Sequence, residues 1–249
     1  MKWYESFFDG VAMEFWKAGV PLEWTRAEVG FLWDALALKP GASVLDVPCG
    51  FGRHALALAA RGVRVRGFDI AGPCVREVNE IARRDNLPVE AVLSDLAETG
   101  FGGPYDGAYC LGNSFGYLDD PAMLVFCRNV AASLRSGGVF VVNTAMAAES
   151  LLPDFREREW MSCGGITALL ENEYDAARSV LVTHYTFLRG GHTEKRASEH
   201  RVYTVAELRR LLGEGGFTVR ELYGAPFGTI EKTAFKFSDS QLYIVAQKT

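Results

Sequence analysis

The stretch Ser43–Arg53 (Ser-Val-Leu-Asp-Val-Pro-Cys-Gly-Phe-Gly-Arg) constrains the fold more than any other part of the chain. An apolar run, Val44-Leu45, ends on Asp46. Gly50 and Gly52 follow, and then a helix-forming stretch, Arg53–Arg61. Strand, carboxylate, glycine loop and helix start, in that order, describe a pocket for an adenosine-bearing cofactor. Backbone without a Cβ lets a ligand come close, and the first N–H groups of a helix have no intrahelical partner to compete with it.

The alternation continues downstream. Strand Val63–Ile70, a helix from Pro73 to Asp85, strand Val89–Ser94, strand Tyr105–Leu111, helix Pro121–Leu134 and strand Val139–Val142 predict a mostly parallel sheet with right-handed crossovers. The rhythm changes after residue 150. Ile166–Tyr174, Ser179–Leu188 and Thr193–Tyr203 are rich in β-branched and aromatic residues and are separated by turn sequences, which predicts an antiparallel meander. Thr204 and Glu207 form a capping box that opens one more helix, and Phe217–Tyr223 and Gln241–Ala246 close the chain as strands.

Ahead of the core, residues 1–40 read as two helices. The first spans Tyr4–Ala18. The second opens at Thr25, with Glu28 completing a capping box, and stops at Lys39-Pro40-Gly41. The aromatic residues of the first helix either fill a core or roof the cofactor cleft.

Composition sets outer limits. With 49% hydrophobic and 23% charged residues in 249, the chain can build one large α/β domain with decorations. A net charge of −5 argues against a nucleic-acid or anionic-membrane binder. No apolar run is long enough for a membrane span, and Met1–Gly10 lacks a basic leader, so a cytoplasmic protein is expected. The five cysteines lack any C-x-x-C pair, which fits reduced thiols. His184, His192 and His200 match no common ligand spacing, so no metal site is expected.

The glycine loop also satisfies the dinucleotide fingerprint, as Gly50-x-Gly52-x-x-Ala55. Three carboxylates discriminate. Asp46 stands just before the glycines, where it can hold the loop or meet a positive group and would repel a pyrophosphate. Asp69 ends the second strand, where a carboxylate can accept both ribose hydroxyls. Asp95 ends the third, within reach of an adenine amino group. Together they suit a cationic nucleoside better than an anionic dinucleotide.

In these residues the chain resembles the class I S-adenosylmethionine-dependent methyltransferases. The matching stretches are Val44–Gly52, Gly67-Phe68-Asp69-Ile70, Ser94-Asp95-Leu96 and Ser136-Gly137-Gly138, with Pro48 departing from the family's usual first glycine. A narrower likeness, in Cys110–Leu118, is to glycine N-methyltransferase-type enzymes and their small-molecule relatives. The resemblance implies an α/β fold. It would be a Rossmann-like seven-stranded methyltransferase sheet, mostly parallel with a terminal antiparallel hairpin and helices on both faces. It further implies a helical lid at residues 1–40, a core at 41–150 and 204–249, and an antiparallel β insertion at 151–203 covering the cleft.

It implies S-adenosyl-L-methionine as cofactor, S-adenosyl-L-homocysteine as product, and a small-molecule acceptor, in a monomer or homodimer. Cofactor contacts would come from Trp16, Arg26, Asp46, Pro48, Cys49, Gly50, Gly52, Asp69, Ile70, Asp95, Leu96, Leu111, Asn113 and Tyr117. Of these, Arg26 would grip the cofactor carboxylate and Trp16 would pack over the site. Acceptor and catalytic roles would fall to Asn113, Tyr117, Tyr185, His200 and Arg201. The family's acceptor-binding arginine after the fifth strand is missing from Val142–Met146, so glycine is not expected as acceptor. An amine nitrogen is favoured slightly over a hydroxyl oxygen. An NAD(P)-dependent oxidoreductase and a non-catalytic S-adenosylhomocysteine-binding protein remain alternatives.

Overall fold

The computed structural model describes residues 2–97, 100–226, 230 and 232–249. Helices come first: α1 (Tyr4–Phe7), α2 (Gly10–Ala18) and α3 (Leu22–Ala35). The predicted Tyr4–Ala18 helix is broken, because Asp9 is extended and Gly10 has a positive φ of 49°. The predicted cap at Thr25 is also corrected. Helix α3 begins after Pro21, and Thr25 and Glu28 lie inside it, buried.

The core follows as β1 (Ser43–Asp46), α4 (Arg53–Ala59), β2 (Arg64–Asp69), α5 (Gly72–Arg84), β3 (Val89–Leu93), β4 (Tyr105–Cys110), α6 (Asp120–Ser133) and β5 (Leu134–Thr144). A short α7 (Ala148–Leu151) leads to β6 (Arg158–Cys163), β7 (Ile166–Asp175), β8 (Val180–Arg189) and β9 (His192–Arg201). The chain ends with α8 (Val205–Glu214), β10 (Phe217–Ala225), β11 (Thr233–Ala234) and β12 (Gln241–Lys248). The Thr204–Glu207 capping box of α8 is present.

The main sheet runs β11-β10-β12-β5-β4-β1-β2-β3. It has eight strands rather than the seven expected, the addition being the two-residue edge β11. Strands β1 to β5 are mutually parallel, and β12 enters antiparallel between β5 and β10. Strand order reverses between β1 and β4. In an open parallel sheet, that reversal leaves a crevice beyond the carboxyl ends of those two strands. The glycine loop and the segment Leu111–Tyr117 therefore face each other across it.

Neighbouring residues on the strands serve opposite faces. Leu45, Cys110 and Val142 join the cluster under α6 and α8, whereas Val44, Tyr109 and Val141 join the one under α3 and α4. The insertion is a four-stranded antiparallel sheet, one strand more than predicted. Phe7, Ala12 and Phe15 pack onto its residues Ile166, Ala168, Leu170, Tyr185 and Phe187. The predicted 1–40 lid is thus divided: α1 and α2 share a core with the insertion, and α3 is a layer of the main domain. No helix among the described residues is long and apolar enough to cross a membrane.

Candidate active site

Each glycine of the loop has its own physical reason. Gly50 and Gly52 both have positive φ, 51° and 73°. A Cβ on Gly52 would come within 2.6 Å of Val78, and one on Gly67 within 2.8 Å of Cys49, so these two allow the loop to pack. A Cβ on Gly50 would meet nothing within 4 Å. That face is open, as a close approach by a ligand requires.

The loop is held by carboxylates. Asp69, at the end of β2, accepts from the Gly50 N–H at 2.7 Å and the Ala71 N–H at 2.8 Å. Burial raises its pKa, and those backbone donors oppose the rise. Asp46 accepts from the Tyr109 hydroxyl at 2.9 Å, and burial with the nearby Asp69 charge pushes its pKa well up. Asp46 is therefore a buried strut beneath the loop. Pro48 and Cys49 belong to the loop backbone, with the Cys49 N–H bonded to the Phe68 carbonyl. Asp95, at the end of β3, accepts from the Ala97 N–H and pairs with the Lys2 ammonium at 2.7 Å.

Across the crevice Leu111 is buried and Tyr117 partly buried, while Ile70 and Leu96, following β2 and β3 on the loop's own side, are partly buried on the core. Asn113 has a φ of 64°, and its Oδ1 accepts from the Ala145 N–H at 2.8 Å and the Thr144 hydroxyl at 3.3 Å. It ties the end of β4 to the end of β5. Tyr117 meets His200 edge-on, with centroids 4.8 Å apart, and Trp3 packs on both. His200 is 7% exposed, and burial alone drives its pKa down to about 4, so its ring is neutral at physiological pH.

Two predicted residues are engaged elsewhere. Arg201 follows His200 on β9 and points away from it. Its guanidinium binds Asp120 at 3.1 Å and the carbonyls of Ser179 and Val202. That makes it a fastener between the insertion and α6, not an acceptor contact. Tyr185 stacks on Phe187 and meets Phe7 edge-on, inside the core shared by lid and insertion. Arg26 lies exposed on α3. Trp16, on α2, keeps a buried Nε1 without a hydrogen-bond partner among the described residues.

A cluster beside the loop escaped the sequence reading. Arg53 and His54 open α4, and both reach Glu28 on α3 (His54 Nε2 at 2.9 Å), while Arg53 also binds the Thr25 hydroxyl at 3.2 Å. Burial would raise the Glu28 pKa, but the His54 hydrogen bond and the Arg53 charge outweigh it and hold the carboxyl down to about 2. Two basic residues at a helix N-terminus oppose the helix dipole. That conflict was the available signal for a buried acid.

The residues present fit the cofactor: an open glycine face, a carboxylate ending each of β2 and β3, and an orphaned indole N–H on the covering helix. Comparison with known proteins agrees. Residues 44–138 match the methyltransferase-domain family. A dTDP-3-amino-3,6-dideoxy-alpha-D-glucopyranose N,N-dimethyltransferase of Streptomyces fradiae is 25% identical over 75% of this chain and 74% of its own. The CcbJ methyltransferase of Streptomyces caelestis superposes with a TM-score of 0.78 at 23% identity, covering 93% of this chain and 98% of that one. S-adenosylmethionine-bound CalS10, an amino pentose methyltransferase from Micromonospora echinaspora, does so with a TM-score of 0.68 at 17% identity, covering 93% of each chain. The matched domain and its relatives define a methyltransferase that uses S-adenosylmethionine. Residues 44–138 carry a methyltransferase domain, and the fold is that of the class I S-adenosylmethionine-dependent methyltransferases.

Proposed function

We propose that this enzyme methylates an amine nitrogen of a small molecule, received in the crevice beside Tyr117 and His200. The observation that carries this reading is His200: a buried, neutral imidazole at the carboxyl edge of the sheet, walled by aromatic rings. Such a ring can accept an N–H and cannot repel the positive charge that appears on a methylated nitrogen. Aromatic faces favour that charge. The likeness to a protein named for methylating a dTDP amino sugar supports the same class of acceptor.

Bound on the loop, S-adenosylmethionine supplies a methyl group made electrophilic by its sulfonium. What remains for the protein is geometry, which can contribute about 7–11 kcal/mol in favourable cases. In this reading Gly50, Asp69 and Asp95 hold the nucleoside, with Ile70, Leu96 and Leu111 against it. The Trp16 N–H reaches the cofactor from above. Asn113 fixes the spacing of the β4 and β5 ends, and Tyr117 bounds the reacting centre. His200 accepts an amine N–H and turns the lone pair toward the methyl group. Burial raises the Tyr117 pKa, so its hydroxyl stays protonated. Helices α1 and α2 and the insertion exclude water.

The test is mass-spectrometric. The enzyme is incubated with S-adenosylmethionine and paired panels of amino sugars, alkylamines and their hydroxyl analogues. Methyl gain on nitrogen, lost in His200→Gln, is expected. Gain on the hydroxyl analogues alone would refute the amine reading.

A further inference from the structure

Two adjacent residues of the lid stand where two ligands belong. Asp95 has both carboxylate oxygens occupied: Oδ1 takes the Ala97 N–H at 2.9 Å, and Oδ2 takes the Lys2 ammonium at 2.7 Å. Next to it in sequence, the indole of Trp3 fills the space against Tyr117 (centroids 4.8 Å) and His200 (5.4 Å). These contacts are unlike those of the rest of the lid. Helix α2 is built into the insertion through Phe15, 1% exposed, and through the pairs Asp9–Arg196 and Glu14–Arg189. Helix α1 is one turn long and is joined to α2 at a backbone break, with Asp9 extended and Gly10 at positive φ.

We propose that residues 2 and 3 act as an intramolecular competitor. Lys2 takes the Asp95 oxygen that an adenine amino group would use, Trp3 takes the ring pocket of the acceptor, and ligands enter when residues 2 and 3 turn aside while Tyr4 and Phe7 keep α1 docked. The proposal rests on the acceptor pocket inferred above. The energetics suit a reversible latch. The Lys2 side chain is 43% exposed and that of Asp95 19%, so their ion pair is cheap to exchange for a ligand hydrogen bond. The Trp3 ring is only partly buried and lies between the two hydrophobic clusters without belonging to the buried part of either. Its presence also describes the part of the acceptor that replaces it: a ring with an apolar face and no anionic group, because His200 and Tyr117 offer no cation to one.

The experiment is calorimetric titration of S-adenosylhomocysteine into the wild type, Lys2→Ala and Lys2→Ala/Trp3→Ala, each checked by near-ultraviolet circular dichroism. Removing a partly exposed ion pair should tighten binding about two- to fivefold, and the double variant should bind more tightly still. Wild-type binding that is unchanged or weakened in both variants overturns the competitor. Absence of binding in all three overturns the cofactor site, and the competitor with it. The pocket is tested separately with indole as probe. Trp3→Gly should bind indole where the wild type does not, as an apolar cavity left by a deleted side chain does. Failure of Trp3→Gly to bind it, in a protein that still binds S-adenosylhomocysteine, overturns the Trp3 half. The amine panel is independent of both results.

Discussion

The two halves of the crevice are built on different principles. The cofactor half is backbone held by buried carboxylates: Gly50 on Asp69, and the α4 start on Glu28. The acceptor half is side chains drawn from distant parts of the chain, Trp3, Tyr117 and His200, which meet only through ring contacts. In the first half, a buried carboxylate satisfies the backbone donors of the loop. In the second, ring faces and a single imidazole acceptor set what fits. Substitutions in the first half should therefore move stability or cofactor affinity, and those in the second should move turnover.

The largest effect is expected at Glu28→Ala. It leaves Arg53 and His54 facing each other without their carboxylate, and breaking such a buried pair costs about 3–5 kcal/mol. Chemical denaturation would show it. A loss near zero would mean that the cluster does not hold the loop. Acidification comes next, and its sign follows from pKa values depressed at His200, His54 and Glu28. His200 is neutral when folded down to about 4, against an ordinary 6.5, so its contribution is complete above pH 6.5 and is lost as pH falls toward 4. Glu28 contributes above pH 4.5 and loses that contribution as pH falls toward 2. The melting temperature should thus fall in two windows, and His200→Gln should shrink only the upper one, leaving the share that buried His54 adds. The same variant should lower kcat by about 10²-fold with S-adenosylhomocysteine affinity unchanged. A lost affinity would place His200 in the cofactor half instead. The smallest effect is expected at Arg201→Ala, about 1 kcal/mol of stability with turnover retained. A collapse of turnover in a folded Arg201→Ala protein would return that residue to the reacting centre.

The same contrast explains what could be read from the sequence. The loop, Asp69, Asp95 and the βα alternation lie in short contiguous segments, where strand, glycine and helix start imply one another. The roof has no such locality. His200 and Arg201 are neighbours in sequence, and only the strand register decides which one faces Tyr117. Thr25 and Glu28 have the spacing of a capping box, yet Pro21 starts α3 a turn earlier and Glu28 is used to bind α4. Strand β6 has the sequence Arg-Glu-Trp-Met-Ser-Cys, an exposed edge with no alternation to betray it. Lys2 and Trp3 carry no motif. Their positions follow from packing alone.

The central claim is that Asp69 and the open face of Gly50 hold S-adenosylmethionine. Its most direct test is calorimetric titration of S-adenosylhomocysteine into the wild type and Asp69→Ala, with NADH as competitor. One molecule should bind per chain, NADH should not displace it, and Asp69→Ala should weaken binding at least about 10²-fold while the protein stays folded. A folded wild type that binds NADH in place of S-adenosylhomocysteine, or an Asp69→Ala variant with unaltered affinity, would contradict the account.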